Sequence, residues 1–114
     1  MLVQGKSAVI TGGGRGIGRA IAEQLLKYGA KVCLLDVLEA ELRQTWTELK
    51  QQYGESNITT SKADVTNKAE FKAAIQNTVN VFGQVDILVN NACIQKEGQW
   101  EAMLNVNLVQ TSLS

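Results

Sequence analysis

Histidine is absent from this chain, which excludes a Ser-His-Asp or Cys-His arrangement for nucleophilic catalysis. Cysteine occurs only twice, at Cys33 and Cys93. With no histidine, a zinc site would require carboxylates and distant thiols to converge without any ligand motif, so no metal site is expected. The two thiols read instead as small buried apolar residues, kept reduced in a cytoplasmic protein. Proline is missing as well, and with no low-complexity or linker composition to mark a boundary, residues 1–114 read as one domain. Neither charge sign is in excess, since 11 Lys and Arg stand against 11 Asp and Glu. No broad field therefore draws a nucleic-acid backbone or an anionic membrane surface. Long hydrophobic runs are lacking too: the opening MLVQGKSAVITG has one Lys and a short apolar stretch that stops at glycines, too brief for a signal peptide or a membrane span.

What is present is a 45% apolar chain, enough to build a core, in which short β-branched runs alternate with amphipathic stretches that end in glycine. Ser7 to Thr11 reads as a first strand. Ile17, Ala20, Ile21, Leu25 and Tyr28 then recur at helical spacing before Gly29. Lys31 to Leu35 is a second strand. Leu38 to Tyr53 is a second helix with Leu42, Trp46, Leu49 and Tyr53 on one face, closed by Gly54, and Asn57 to Ala63 is a third strand. Asn67, followed three residues later by Glu70, offers an N-cap with its reciprocal partner. Phe71, Ile75, Val79 and Phe82 form the apolar stripe of the helix that follows, before Gly83. Val85 to Asn90 is a near-continuous apolar run, as a strand covered on both faces requires, and another apolar-periodic stretch begins at Trp100. Strands separated by helices must be parallel with right-handed crossovers. The expected fold is α/β, a Rossmann-like doubly wound parallel sheet cut short after about four βα units, with its ligand at the carboxyl ends of the strands.

The first such end reads Thr11-Gly12-Gly13-Gly14-Arg15-Gly16-Ile17-Gly18, between a strand and a helix whose N-terminus carries unpaired N–H groups and partial positive charge. A pyrophosphate suits that end. Gly12 permits the sharp turn, Gly16 lets backbone approach the phosphates, and Gly18 lets the helix pack closely on the sheet. No register gives G-x-G-x-x-G. Nor is this a P-loop, because Arg19-Ala20 stands where an NTPase needs Lys and Ser or Thr. Asp36, directly after the second strand and 18 residues beyond Gly18, is placed for its carboxylate to accept both hydroxyls of an adenosine ribose, which points to NAD. A 2′-phosphate there would meet the carboxylate at ~4 Å, a repulsion of order 4 kcal/mol per charge pair at an effective dielectric of about 20. Arg15 works the other way, since a cation before Gly16 could reach a 2′-phosphate, but its long mobile stem contrasts with an acid fixed by its strand.

Thr11 to Gly18 reproduces the T-G-x-x-x-G-x-G motif, and on it the chain resembles the short-chain dehydrogenase/reductase family. The likeness continues at Asp64-Val65 and at Asn90-Asn91-Ala92. It implies that Gly12, Gly14, Arg15, Gly16, Ile17 and Gly18 surround the cofactor, that Asp64 hydrogen-bonds the adenine amino group with Val65 packed near it, and that Asn91 lies in the element that steadies the sheet beside the cofactor. A helix N-cap is the ordinary role for Asp64, and the two are compatible. Cys93 replaces the glycine that follows Asn-Asn-Ala in the family. Asn107, which precedes Leu108, aligns with the family's helix asparagine that holds the water of a proton relay and is the one catalytic candidate, ahead of Asn105. The wording of GKSAVITGGGRGIGRAIAEQLL, VFGQVDILVNNA and WEAMLNVNLV is most similar to the NAD-dependent 15-hydroxyprostaglandin dehydrogenase group and related insect-type alcohol dehydrogenases. A small-molecule alcohol or ketone substrate, and a homo-oligomer for full-length relatives, follow from that likeness.

The family's chemistry also needs a Ser and then Tyr-x-x-x-Lys, whose Lys lowers the tyrosine pKa so that the phenolate can take the alcohol proton. Here Tyr28 is followed four residues later by Val32 and Tyr53 by Asn57. Two readings remain: an oxidoreductase represented by an incomplete chain, or a non-catalytic dinucleotide-binding or interaction fragment. On either, the strand at Asp86 to Asn90 is expected to have one side unpaired, an edge prone to aggregation.

Overall fold

The computed structural model describes residues 3–14, 16–96 and 99–112, with side chains as far as Asn91. In chain order the elements are β1 (Ser7–Thr11), α1 (Gly16–Lys27), β2 (Lys31–Asp36), α2 (Glu39–Tyr53), β3 (Ile58–Lys62), α3 (Lys68–Phe82), β4 (Gln84–Lys96) and β5 (Gln99–Ser112). The sheet order is β3-β2-β1-β4-β5. The first four strands are parallel, with Val9 opposite both Cys33 and Leu88.

Period-2 alternation sends successive side chains of each central strand to opposite faces. Ala8, Ile10, Val32 and Leu34 join Ala22 and Leu26 of α1 and Leu42 and Leu49 of α2 in one core layer. Val9, Cys33 and Leu35 join Ala74 and Val79 of α3 in the other. Both crossovers that step outward from β1 therefore run over one face, and the return from β3 to β4 runs over the other. Strand order reverses between β1 and β4, and that reversal is where a doubly wound sheet opens a crevice.

The helices follow the expected boundaries within a residue or two, but α1 turns a different side to the sheet. Ile17 is 53% and Tyr28 41% exposed, and Ala20 is exposed too, while Gly18, Ala22 and Leu26 are buried. Only Ile21 and Leu25 of the anticipated stripe pack against the core, and from its flank. The cause is steric: a Cβ at Gly18 would lie 2.2 Å from the Gly12 carbonyl oxygen, so α1 approaches the sheet along the row of smallest residues and widens outward to Leu26. For α2 the expected face is right, with Thr45 added between Leu42 and Leu49. Asn67 caps α3 as its sequence suggests, its side chain accepting from the N–H groups of Ala69 and Glu70. The reciprocal bond differs, because Glu70 Oε1 accepts from Asp64 N–H at 3.3 Å.

The segment from Gln99 to Ser112 is a strand, not a helix. It runs antiparallel to β4, with Asn107 opposite Leu88 and Asn105 opposite Asn90. Leu104, Val106 and Leu108 alternate with Asn105 and Asn107, a period of two that suits a strand, and the outer N–H and C=O groups of β4 supply the partner. The expectation of an unpaired side on β4 is overturned by the same pairing, and the edge passes to β5. The bonds of β5 make it an antiparallel margin on a parallel sheet.

Candidate functional site

At the carboxyl end of β1 the chain has to leave the sheet, turn and start α1 within a few residues. Gly12 and Gly16 both take left-handed φ values, +64° and +59°, which a residue with a Cβ adopts only at a cost. Their surroundings differ. A Cβ on Gly12 would sit 2.7 Å from the Asn91 carbonyl oxygen, whereas one on Gly16 would meet nothing within 4 Å. The turn is thus packed hard against β4 on its inner side and open on its outer side, where α1 presents its N-terminal N–H groups and its positive dipole end.

Asp36, at the end of β2, faces this turn. Its Oδ2 accepts from Gly14 N–H and its Oδ1 from Leu38 N–H, each at 3.2 Å. Gly13 N–H donates to the Leu35 carbonyl at 3.1 Å, so the turn is fastened to β2 at two successive residues. From the other side the Thr45 hydroxyl of α2 donates to the Gly14 carbonyl. Toward β4, Thr11 Oγ1 of β1 accepts from Asn91 N–H at 2.8 Å and donates to Asn90 Oδ1 at 3.0 Å. Asn91 is buried, with Nδ2 lying where a Cβ on Gly18 or Gly12 would approach. Gly12, Gly14, Gly16, Gly18, Asp36 and Asn91 are therefore brought together at one end of the sheet.

Asp64 and Val65 follow β3 at that same end, tied to β2 by Ala63 N–H donating to the Asp36 carbonyl at 3.1 Å. The Asp64 carboxylate accepts from the Thr66 hydroxyl at 2.6 Å and the Thr66 N–H at 2.9 Å. These bonds, the hydroxyl's foremost, hold it below the usual carboxylate range. Asp64 forms a turn before α3 and leaves the capping to Asn67. Val65 is 36% exposed and Ile17, at the start of α1, is exposed as well, so both offer apolar surface beside the crevice. Arg15 lies outside the described residues, and the side chains of Cys93 and Asn107 lie outside them too. The helix that a proton-relay asparagine would occupy is here a strand, with Asn107 opposite Leu88.

The chain matches the family described as short chain dehydrogenase over residues 6–113. It belongs to that family. Among curated short chain dehydrogenases, human 15-hydroxyprostaglandin dehydrogenase (NAD(+)) is 43% identical over 110 residues, which are 96% of this chain and 41% of that enzyme. The chain thus spans about two fifths of the length of this relative. Among solved structures, a short chain dehydrogenase/reductase from Burkholderia phymatum in complex with NAD is 38% identical with a TM-score of 0.73, covering 77% of this chain and 31% of that one. The C-domain of a bacterial malonyl-CoA reductase with NADP is 35% identical with a TM-score of 0.72, covering 82% of this chain and 16% of that one. Both nucleotides thus occur on folds similar to this one, so the choice between them has to come from side chains.

Sequence reasoning passed over two side chains of this candidate site. Thr11 belongs to the motif, but nothing in a motif shows that its hydroxyl joins β1 to β4. Thr45 left one signal, its helical phase between Leu42 and Leu49, which puts a polar residue on the buried face of α2.

Proposed function

We propose that this chain is the NAD-binding part of an oxidoreductase acting on a secondary alcohol, with a hydroxyprostaglandin or related hydroxy lipid as substrate class. The observation that carries the cofactor reading is the Asp36 carboxylate hydrogen-bonded to Gly14 N–H. It fixes an acid against the phosphate-binding turn, where adenosine ribose hydroxyls donate to it and a 2′-phosphate is repelled. The substrate class rests on the likeness to 15-hydroxyprostaglandin dehydrogenase.

The residues fit such a cofactor. The inner side of the turn has no room for a Cβ at Gly12 or Gly18, and its outer side is open at Gly16. Gly12, Gly14, Gly16, Ile17 and Gly18, with Arg15 of the same motif, would hold the pyrophosphate at the α1 N-terminus. Asp64 would accept from the adenine amino group, Val65 would pack near it, and Asn91 holds the turn through its place on β4. Bound NAD supplies the acceptor for the hydride that leaves the alcohol carbon. The base that takes the alcohol proton is not among these residues: neither Tyr28 nor Tyr53 has a Lys four positions on. The second reading is a non-catalytic dinucleotide binder.

Incubation with NAD and a panel of secondary alcohols separates the two. The 114-residue chain is expected to form no NADH, and a chain extended through an in-frame Ser and Tyr-x-x-x-Lys is expected to oxidise hydroxy lipids. Turnover by the short chain would contradict the placement of the base. An extended chain that binds NAD but oxidises nothing would establish the binder.

A further inference from the structure

Two of the three threonines on the helices show what a helical threonine hydroxyl does by default. Thr47 donates to the Arg43 carbonyl and Thr78 to the Ala74 carbonyl, each at 2.9 Å and each four residues back in its own helix. Thr45 does otherwise. It is 1% exposed, and its hydroxyl leaves α2 to reach the Gly14 carbonyl, 31 residues earlier in the chain, at 2.5 Å. With Gly14 N–H on Asp36 Oδ2, both polar groups of this one glycine are tied, one to the end of β2 and the other to α2.

An open groove of about 210 Å³, lined by Gly14, Gly16, Arg19, Glu41, Gln44 and Thr45, runs beside the turn. At Gly14 the turn lies directly against α2, where a Cβ would meet Leu42 N at 3.2 Å, and the Thr45 bond is placed to set its height. Arg19 of α1 pairs with Glu48 of α2, so α2 grips the turn and the helix it starts at two points. We infer that Thr45 is a positioning residue for the dinucleotide: through the Gly14 carbonyl it holds the glycine-rich turn at the height at which the N–H groups of α1 meet a pyrophosphate. This rests on the proposed dinucleotide binding and adds to it a residue on α2.

The test compares Thr45→Val, which keeps the shape and loses the hydroxyl, with Thr45→Ser, which keeps the hydroxyl. Each is titrated with NADH in the 114-residue chain, well below its own unfolding temperature. The valine variant is expected to bind NADH about tenfold more weakly, the size of a lost hydrogen bond that leaves a carbonyl unsatisfied, and the serine variant within about twofold of the parent. Without nucleotide, the Gly14 and Gly16 amide resonances are expected to move in the valine variant alone, a readout that mere loss of stability does not give. A folded Thr45→Val with parental affinity and unmoved resonances overturns the inference, as does a folded Thr45→Ser with a tenfold loss. Should valine prevent folding, Thr45→Ala takes its place with the same expectations. If the parent itself does not bind NADH, the proposed function fails, and the resonances still decide whether Thr45 sets the turn.

Discussion

Gly18 and Gly16 lie two residues apart on the same turn, yet they are glycine for different reasons, and this makes them a test. In an ordinary helix Gly→Ala stabilises by about 1 kcal/mol. At Gly18 the added Cβ would press on the Gly12 carbonyl oxygen at 2.2 Å and on Asn91 Nδ2 at 2.9 Å. Gly18→Ala is therefore expected to destabilise by about 1–3 kcal/mol through overpacking, and to abolish NADH binding by pushing α1 off the sheet. Gly16→Ala meets open space and is expected to cost only the left-handed backbone conformation, about 1 kcal/mol. Urea unfolding of both variants checks the order, and an equal or smaller loss at Gly18 would contradict the packing. Cys33 gives a second check, by pH. Burial pushes its thiol from 9.0 up to about 11, with hydrogen bonds to Thr78 and Ser61 offsetting part of the shift. Because the folded value is the raised one, this contribution is intact below about pH 9 and is lost as pH rises from there through about 11, on the order of 3 kcal/mol in all. Cys33→Ala should flatten the alkaline fall in unfolding temperature over that window. Parallel curves for the variant and the parent would show that the thiol is not the titrating group.

The helices differ in how much of their packing can be read from residue spacing. In α2 the large apolar residues set the buried face, so Leu42 and Leu49 are legible from periodicity. In α3, by contrast, Val79 alone of the expected stripe is buried, beside the small Ala74 and Thr78, and Phe71, Ile75 and Phe82 are half-buried against the core. In α1 the decisive residue is the smallest: Gly18 has to face the sheet, which rotates Ile17 and Tyr28 into solvent, and a hydrophobic pattern cannot register a residue chosen for having no side chain. The segment from Gln99 to Ser112 has apolar residues that fit either period, so its assignment depends on what lies beside β4 and not on its own sequence. The turn residues are legible because backbone conformation and close approach both demand glycine, while the Thr45 bond spans 31 positions and no local pattern encodes it. At the start of α3 the Asn67 cap is local in every respect, its side chain accepting from Ala69 and Glu70 N–H at 3.0 and 3.1 Å. Asn67→Ala should lower stability by about 1 kcal/mol, and Asn67→Asp should restore most of it, both read from urea unfolding. No change on removing the cap would mean that α3 is held by tertiary packing alone.

At the scale of the whole molecule, the sheet order places β1 and β4 side by side with their crossovers on opposite faces, and the glycine-rich turn sits at that divide. Asp36 reaches it because β2 is the neighbour of β1 with its carboxyl end in the same direction. Asp64 and Val65 arrive at the same end because β3 continues the parallel set. Among the described residues no helix is long and apolar enough to cross a membrane, and the proposed cofactor site lies at the carboxyl ends of the parallel strands. A short chain dehydrogenase built this way should select its cofactor at Asp36, even though similar folds hold either nucleotide. Removing the acid should narrow that selection, although Asp36→Ala also frees Gly14 and Leu38 N–H and so weakens NADH binding as well. The most direct measurement is calorimetric titration of the 114-residue chain with NADH and, separately, with NADPH. Saturable binding of NADH at least about tenfold tighter than NADPH is the predicted result, equivalent to about 1.4 kcal/mol of discrimination. No saturable NADH binding, or NADPH binding as tight or tighter, would contradict the account.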